Sequence, residues 1–193
     1  IESFTDCKDI LTGIEENVLN QSNYLYEEPQ FLLQQEVSEI GGYFSILRAI
    51  AFGNHRLSDI SSVLELKATD LTRPLKTLME LDLVKREIPI TEKNPEKSKK
   101  GLYKITDNFI LFWFTFVYPN LSDIEQGNTP YVLDKIKKSF VRNHVAFVYE
   151  DICRETLAQN EQIPYHFSKV GRYWDKHTEI DVVAINEDEN TIL

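Results

Sequence analysis

The sequence is short of cysteine, of positive charge and of long apolar runs. Its two cysteines, Cys7 and Cys153, lie far apart, and no CxxC or Cys/His spacing suggests a zinc site. Two lone thiols fit a reducing cytoplasm better than a disulfide-stapled secreted domain. Lys and Arg total 21 against 31 Asp and Glu, a formal net charge of −10. A chain this acidic excludes non-specific nucleic-acid binding by the protein as a whole, so any such contact must come from a local basic patch. The longest apolar run, Phe109–Tyr118, falls well short of the roughly 20 residues that cross a bilayer, and no signal peptide is visible. No membrane partner is expected. The chain opens on Ile1 without a methionine and stops at Thr191-Ile192-Leu193, which reads as the start of a strand. The expectation is a piece of a longer protein.

What is present is a folded composition, 42% hydrophobic and 27% charged, over 193 residues, enough for one large or two small domains. Ile10, Ile14 and Val18 have helical spacing, so residues 1–35 read as a helical lead-in, with Asn20–Pro29 as a connector. This lead-in fits equally the tail of an upstream domain or a plain N-terminal helix. In Val37–Phe52, Ile40, Tyr43, Phe44, Leu47, Ile50 and Ala51 form the stripe of a core-facing helix, closed by Gly53-Asn54. Leu57–Leu64 follows with Ser58 as N-cap. A turn at Leu66-Lys67-Ala68-Thr69 leads to a helix over Asp70–Leu81 that buries Leu71, Leu75, Leu78 and Met79. Proline inside a helix costs about 3 kcal/mol, so this helix should start at Thr69 or Asp70, which keeps Pro74 near the first turn. Val84–Ile90 and Leu102–Thr106 alternate as strands. Three helices and a hairpin, residues 36–106, make a winged helix-turn-helix.

The hairpin loop is the best nucleic-acid candidate. Residues 85–104 carry seven positive and three negative side chains, a local +4. In a winged helix the third helix enters the major groove and the wing follows the backbone. Lys67, Thr69, Thr72, Arg73 and Lys76 are the candidate double-stranded DNA contacts on the helix, and Lys97, Lys99 and Lys100 those on phosphates. Asp70 at the helix start argues against a phosphate there. The alternative is a solvated hairpin tip on a module that meets only protein.

Beyond residue 106, aromatic-rich Asp107–Val117 reads as a core helix stopped by Pro119. Thr129-Pro130 starts a helix running to about Arg142, and another spans about Asn143–Gln159. On the latter, Ala146, Glu150, Cys153 and Leu157 share one flank, with His144, Asp151, Arg154 and Glu155 opposite. Glu150 thus points among small and apolar neighbours and needs a partner or a metal. Tyr165–Arg172 and Glu179–Ile185 read as strands, with Asp181 on the face of Val183 and Ile185. The bland alternative pairs Glu150 and Asp181 with Arg172 or Lys176.

The stretches EEPQFLLQQEV, GGYFSILRAIAFGNHRLSDISS, LKTLMELDLVKREIPITEKNPEKSKKGLYKITDNFILFWFTFVYPN and GRYWDKHTEIDVVAIN resemble the C-terminal half of the archaeal-type AAA ATPases of the STAND-like P-loop group. The resemblance implies a P-loop ATPase module upstream, with residues 1–35 as the tail of its lid. It implies an α+β chain: the winged helix, then an incomplete α/β domain at 107–193 of PD-(D/E)xK, restriction-endonuclease-like type. Glu150 would match the helix acid and Asp181 the strand acid of that core, the weak remnant of a catalytic Mg²⁺ site, with the remaining acid and lysine beyond Leu193. No catalysis is expected of this fragment. No GxxxxGK[ST] occurs, so ATP and Mg²⁺ would belong to the parent protein and no cofactor is expected here. The implied partners are DNA and the ATPase module of the same chain.

Overall fold

The computed structural model describes residues 4–36, 40–159, 166–189 and 191–192 and has a mixed α+β architecture, mostly helical, with two small antiparallel sheets. Helix α1 (Ile10–Gly13) is capped by Asp9, whose carboxylate accepts the Thr12 N–H at 2.9 Å, and widens into a π-turn over Ile14–Val18. The expected connector is instead mostly helix: α2 spans Tyr24–Glu36 with Pro29 in its second turn. Burial of Leu25, Tyr26, Pro29 and Leu33 offsets the proline, because packing of an amphipathic face outweighs local propensity.

Helix α3 (Ile40–Ala51) buries Phe44, Ile46, Leu47, Ala49 and Ile50; its expected start at Val37 lies outside the described residues. It ends at Gly53, φ 89°, where the Asn54 N–H and side-chain amide both reach the Ala49 carbonyl at 3.0 Å. Helix α4 (Leu57–Leu64) is N-capped by Arg56 rather than Ser58, whose hydroxyl donates to the Asp59 carboxylate at 3.0 Å. Glu65, at φ 54°, reverses the chain. Helix α5 (Ala68–Glu80) starts slightly earlier than expected, which moves Pro74 into its second turn. Leu71, Leu75 and Leu78, all buried, hold the helix despite the lost backbone bond.

Strands β1 (Val84–Glu87) and β2 (Leu102–Ile105) pair antiparallel, Val84 opposite Ile105 and Glu87 opposite Leu102. Asp107 caps α6 (Asn108–Phe112) by accepting the Ile110 N–H at 2.8 Å. Pro119 does not stop the helical path. After a π-turn at Trp113–Val117 it opens a 3-10 turn, Tyr118–Asn120, that runs into α7 (Leu121–Glu125). Helix α8 (Thr129–Phe140) has Asn128, not Thr129, as N-cap. The break expected near Asn143 is a π-turn, Val141–Val145, carrying the chain into α9 (Ala146–Gln159). Strands β3 (Lys169–Trp174), β4 (Glu179–Asn186) and β5 (Thr191–Ile192) form a sheet with β4 central; Tyr165, the expected strand start, lies outside the described residues.

One apolar cluster runs from Ile14 to Ile136 and joins the lead-in, α3–α5, the hairpin and α6–α8. Its centre is aromatic: Phe44 packs on Phe114 at 5.1 Å, Tyr118 at 5.5 Å and Trp113 at 6.0 Å between centroids. The buried Trp113 indole donates to the Tyr26 carbonyl at 2.8 Å, tying α2 to this centre. The β3–β5 sheet stands outside the cluster and is fastened to the hairpin loop. The Ile90 N–H donates to the Arg172 carbonyl at 2.8 Å, and the Trp174 indole donates to the Lys100 carbonyl at 3.1 Å.

Candidate functional site

Helix α5 turns its leucines inward, so the residues between them face solvent. Lys67, Thr69, Thr72, Arg73 and Lys76 are all exposed. Thr72 donates to the Ala68 carbonyl at 3.3 Å and Thr69 to the Asp70 carboxylate at 3.2 Å. Lys76 lies 3.4 Å from Glu80, one turn on. In the hairpin loop Lys97 and Lys99 are exposed, and Lys100 reaches Glu92 at 3.2 Å. The loop is folded on itself, since Arg86 donates to the Ser98 carbonyl and Ser98 to Glu92 at 3.3 Å. Among the described residues Asp59, Glu65 and Asp70 form no ion pair with the cations of α5 or the loop.

A second group of charges lies where the hairpin meets α9 and the β3–β4 pair. Glu87 of β1 is 3.3 Å from Lys85, 3.4 Å from Lys104 and 3.5 Å from Arg172. Burial alone would raise its carboxyl, but Lys104, Lys85 and Arg172 outweigh that and hold it below the ordinary range. Lys85 also reaches Asp151 at 3.6 Å. Arg172 is buried, and its Nη2 meets Glu179 at 2.6 Å and Asp181 at 3.0 Å. Arg154 pairs with Asp151 and donates to the Asp181 carbonyl at 2.6 Å. These bonds correct the helix-wheel assignment, which left Asp151 and Arg154 to water. Both are half-buried, because the hairpin and β4 cover the flank that α9 alone presents to solvent.

Glu150 sits beside this network. Its Oε2 is buried without a hydrogen-bond partner, and its nearest cation, Arg154, is 4.0 Å away. Burial, and then the charge of Asp181, push its carboxyl above the ordinary range. Asp181 owes its position to an irregularity in the sheet. Gly171 pairs with Val183 but Tyr173 with Ile180, so Arg172 faces two residues of β4, Asp181 and Val182. Such a bulge breaks the alternation that put Asp181 with Val183 and Ile185. Glu150 and Asp181 are thus brought into electrostatic contact, but Arg172 holds Asp181 and, among the described residues, no group of three or more His, Cys, Asp or Glu is placed to hold a metal. The described residues do not make up a divalent-cation site.

A cavity of about 370 Å³ opens beside the network, between Lys85, Asp151, Arg154 and Arg172. A larger cavity, about 650 Å³, lies elsewhere and is mainly apolar, between the lead-in helices and Phe109, Phe112 and Phe140. Arg172 was foreseeable as a partner, since an arginine one pleat from Trp174 on a buried strand face must find acids. The roles of Glu87, Lys85 and Lys104 had no local signal, because they arise where the hairpin meets α9 and the β3–β4 pair.

This is a mixed α+β protein with exposed cations on α5 and the hairpin loop and an ion-paired junction between hairpin and sheet. No helix among the described residues is long and apolar enough to cross a membrane. Residues 113–193 match the family DUF234, described as archaea bacterial proteins of unknown function. The chain is 39% identical over 183 residues to Uncharacterized protein MJECL04 of Methanocaldococcus jannaschii, a match covering 93% of this chain and 40% of that protein.

Proposed function

We propose that this chain is the nucleic-acid-binding region of a larger P-loop ATPase, a winged helix joined to a nuclease-like domain. One observation carries the reading. In a chain of net charge −10, Lys67 and Arg73 of α5 and Lys97 and Lys99 of the loop are exposed without acidic partners among the described residues. Three helices followed by a hairpin are the order a winged helix requires, and α5 is then the helix that enters the major groove. Lys97 and Lys99 supply phosphate contacts. The ATP and Mg²⁺ of the resemblance belong to the parent, and the cytoplasm, with its bound DNA, is the setting.

A second reading is favoured by the junction. The hairpin is bonded to β3 through Ile90, Lys100 and Glu87, so movement of the helices reaches the C-terminal sheet directly. An interaction module that relays ATPase state needs that linkage and no DNA.

Titration of a fluorescent duplex over a range of salt separates the two. The DNA reading expects log Kd to vary steeply with log salt, and Lys97→Gln with Lys99→Gln to flatten the slope by about 2, at roughly 0.9 per phosphate contact. Absence of binding at low salt overturns it and leaves the relay.

A further inference from the structure

Two adjoining cavities, of about 430 and 240 Å³, lie between the hairpin loop and the β3–β4 turn and share Arg56, Trp174, Asp175 and Lys176. Their basic groups converge from three parts of the chain. Arg56 is the N-cap of α4, Lys99 and Lys100 belong to the hairpin loop, and Lys176 and His177 form the tip of the turn. Arg56, Lys99 and Lys176 are exposed and have no ion-pair partner among the described residues, while Lys100 is held by Glu92.

The acids that border the cleft are already engaged. Asp175 accepts the His177 N–H at 2.7 Å, the Thr178 N–H at 2.9 Å and the Tyr173 hydroxyl at 2.9 Å, so its carboxylate faces its own turn, and its one charge is outnumbered by Arg56, Lys99, Lys100 and Lys176. Glu179 is turned to Arg172 at 2.6 Å. The backbone that carries the cations is also tied together. The Trp174 indole bond to the Lys100 carbonyl locks the loop to the turn, so only the side chains remain to be ordered by a ligand. A cleft of this size lined by Arg56, Lys99, Lys100 and Lys176 suits a phosphate group and its adjoining sugar, since each cation supplies a charge-assisted donor.

We propose that this cleft is a phosphate-binding site that takes the sugar–phosphate backbone of nucleic acid lying across the hairpin. Only the carrier of the phosphate rests on the nucleic-acid reading; the site itself does not. Arg56 and Lys176 then extend the contact from the hairpin onto the C-terminal sheet, so that one ligand spans both modules.

The site is tested on the 193-residue chain with inorganic pyrophosphate, following the Trp174 indole N–H in ¹H–¹⁵N spectra, with Trp174→Phe to assign the signal. Pyrophosphate shifts this signal, and Arg56→Gln with Lys176→Gln raises the dissociation constant about ten-fold or more, as loss of two charge-assisted contacts requires. Lys137→Gln, an exposed cation on α8, leaves it unchanged. No shift, or an equal constant in the double variant, overturns the proposal. The same double variant is then titrated with duplex. A salt slope flatter by about 2 makes nucleic acid the source of the phosphate. An unchanged slope, with pyrophosphate binding lost, overturns that carrier and assigns the cleft to a free phosphate compound. If the wild-type chain binds pyrophosphate but no duplex at any salt, the nucleic-acid reading fails and the cleft stands.

Discussion

Replacing Arg172 with methionine keeps most of the side chain's length and removes its charge. The guanidinium is 8% exposed and serves Glu87, Glu179 and Asp181 at 3.5, 2.6 and 3.0 Å. Stranding the partner of a fully buried pair costs about 3–5 kcal/mol. Here the cost is smaller. Glu179 and Asp181 are 58% and 48% exposed and recover water, while Glu87, at 17%, keeps Lys85 and Lys104. We expect Arg172→Met to cost about 2 kcal/mol, set mainly by Glu87 and the lost bonds. With a urea slope of about 2 kcal/mol per molar, the unfolding midpoint falls by about 1 M. Glu87→Gln in the same background separates charge from packing. If the pair is coupled across the junction, the double variant is less destabilised than the two singles together. Additivity within about 0.3 kcal/mol, or an unchanged midpoint for Arg172→Met, refutes the reasoning.

The pH dependence of Glu150 has the opposite sign to that of a salt-bridged acid. Its folded carboxyl is raised above the ordinary 4.5, so the folded chain keeps a proton that the unfolded chain releases, and stability falls as pH rises through the raised value. Glu150→Gln therefore matches wild type in urea at pH 4 and exceeds it at pH 8; a wild type more stable at pH 8 contradicts this. If the nuclease-like reading holds, Asp181→Ala removes Mg²⁺-dependent DNA cleavage from a chain extended past Leu193, and equal cleavage by both proteins rules out that role.

Much of the helical half was legible because its signals are local. The stripe in α3, the Gly53-Asn54 stop, the leucines of α5 and the cap at Asp107 all act within a few residues. The misplacements have a common cause. The sequence suggests a boundary at Pro29 and at Pro119 and a first-turn place for Pro74, yet all three lie deeper in helical segments, since buried apolar neighbours or an adjoining turn compensate the missing N–H. Asp181 was placed by strict alternation, which one extra residue in β4 interrupts.

By itself the sequence determined an α+β chain, the run of helices before the hairpin, the exposed basic residues of α5 and the loop, and the two acids worth watching. Periodicity and charge are properties of short stretches, so short stretches reveal them. Tertiary structure chose Arg172 over Lys176 as the partner of Asp181, and it alone decided that Asp151 and Arg154 are drawn in from the solvent face and that Arg56, Lys99 and Lys176 line one cleft. Those groups lie up to 120 residues apart. They meet only because the hairpin loop is bonded at Ile90 and Lys100 to β3.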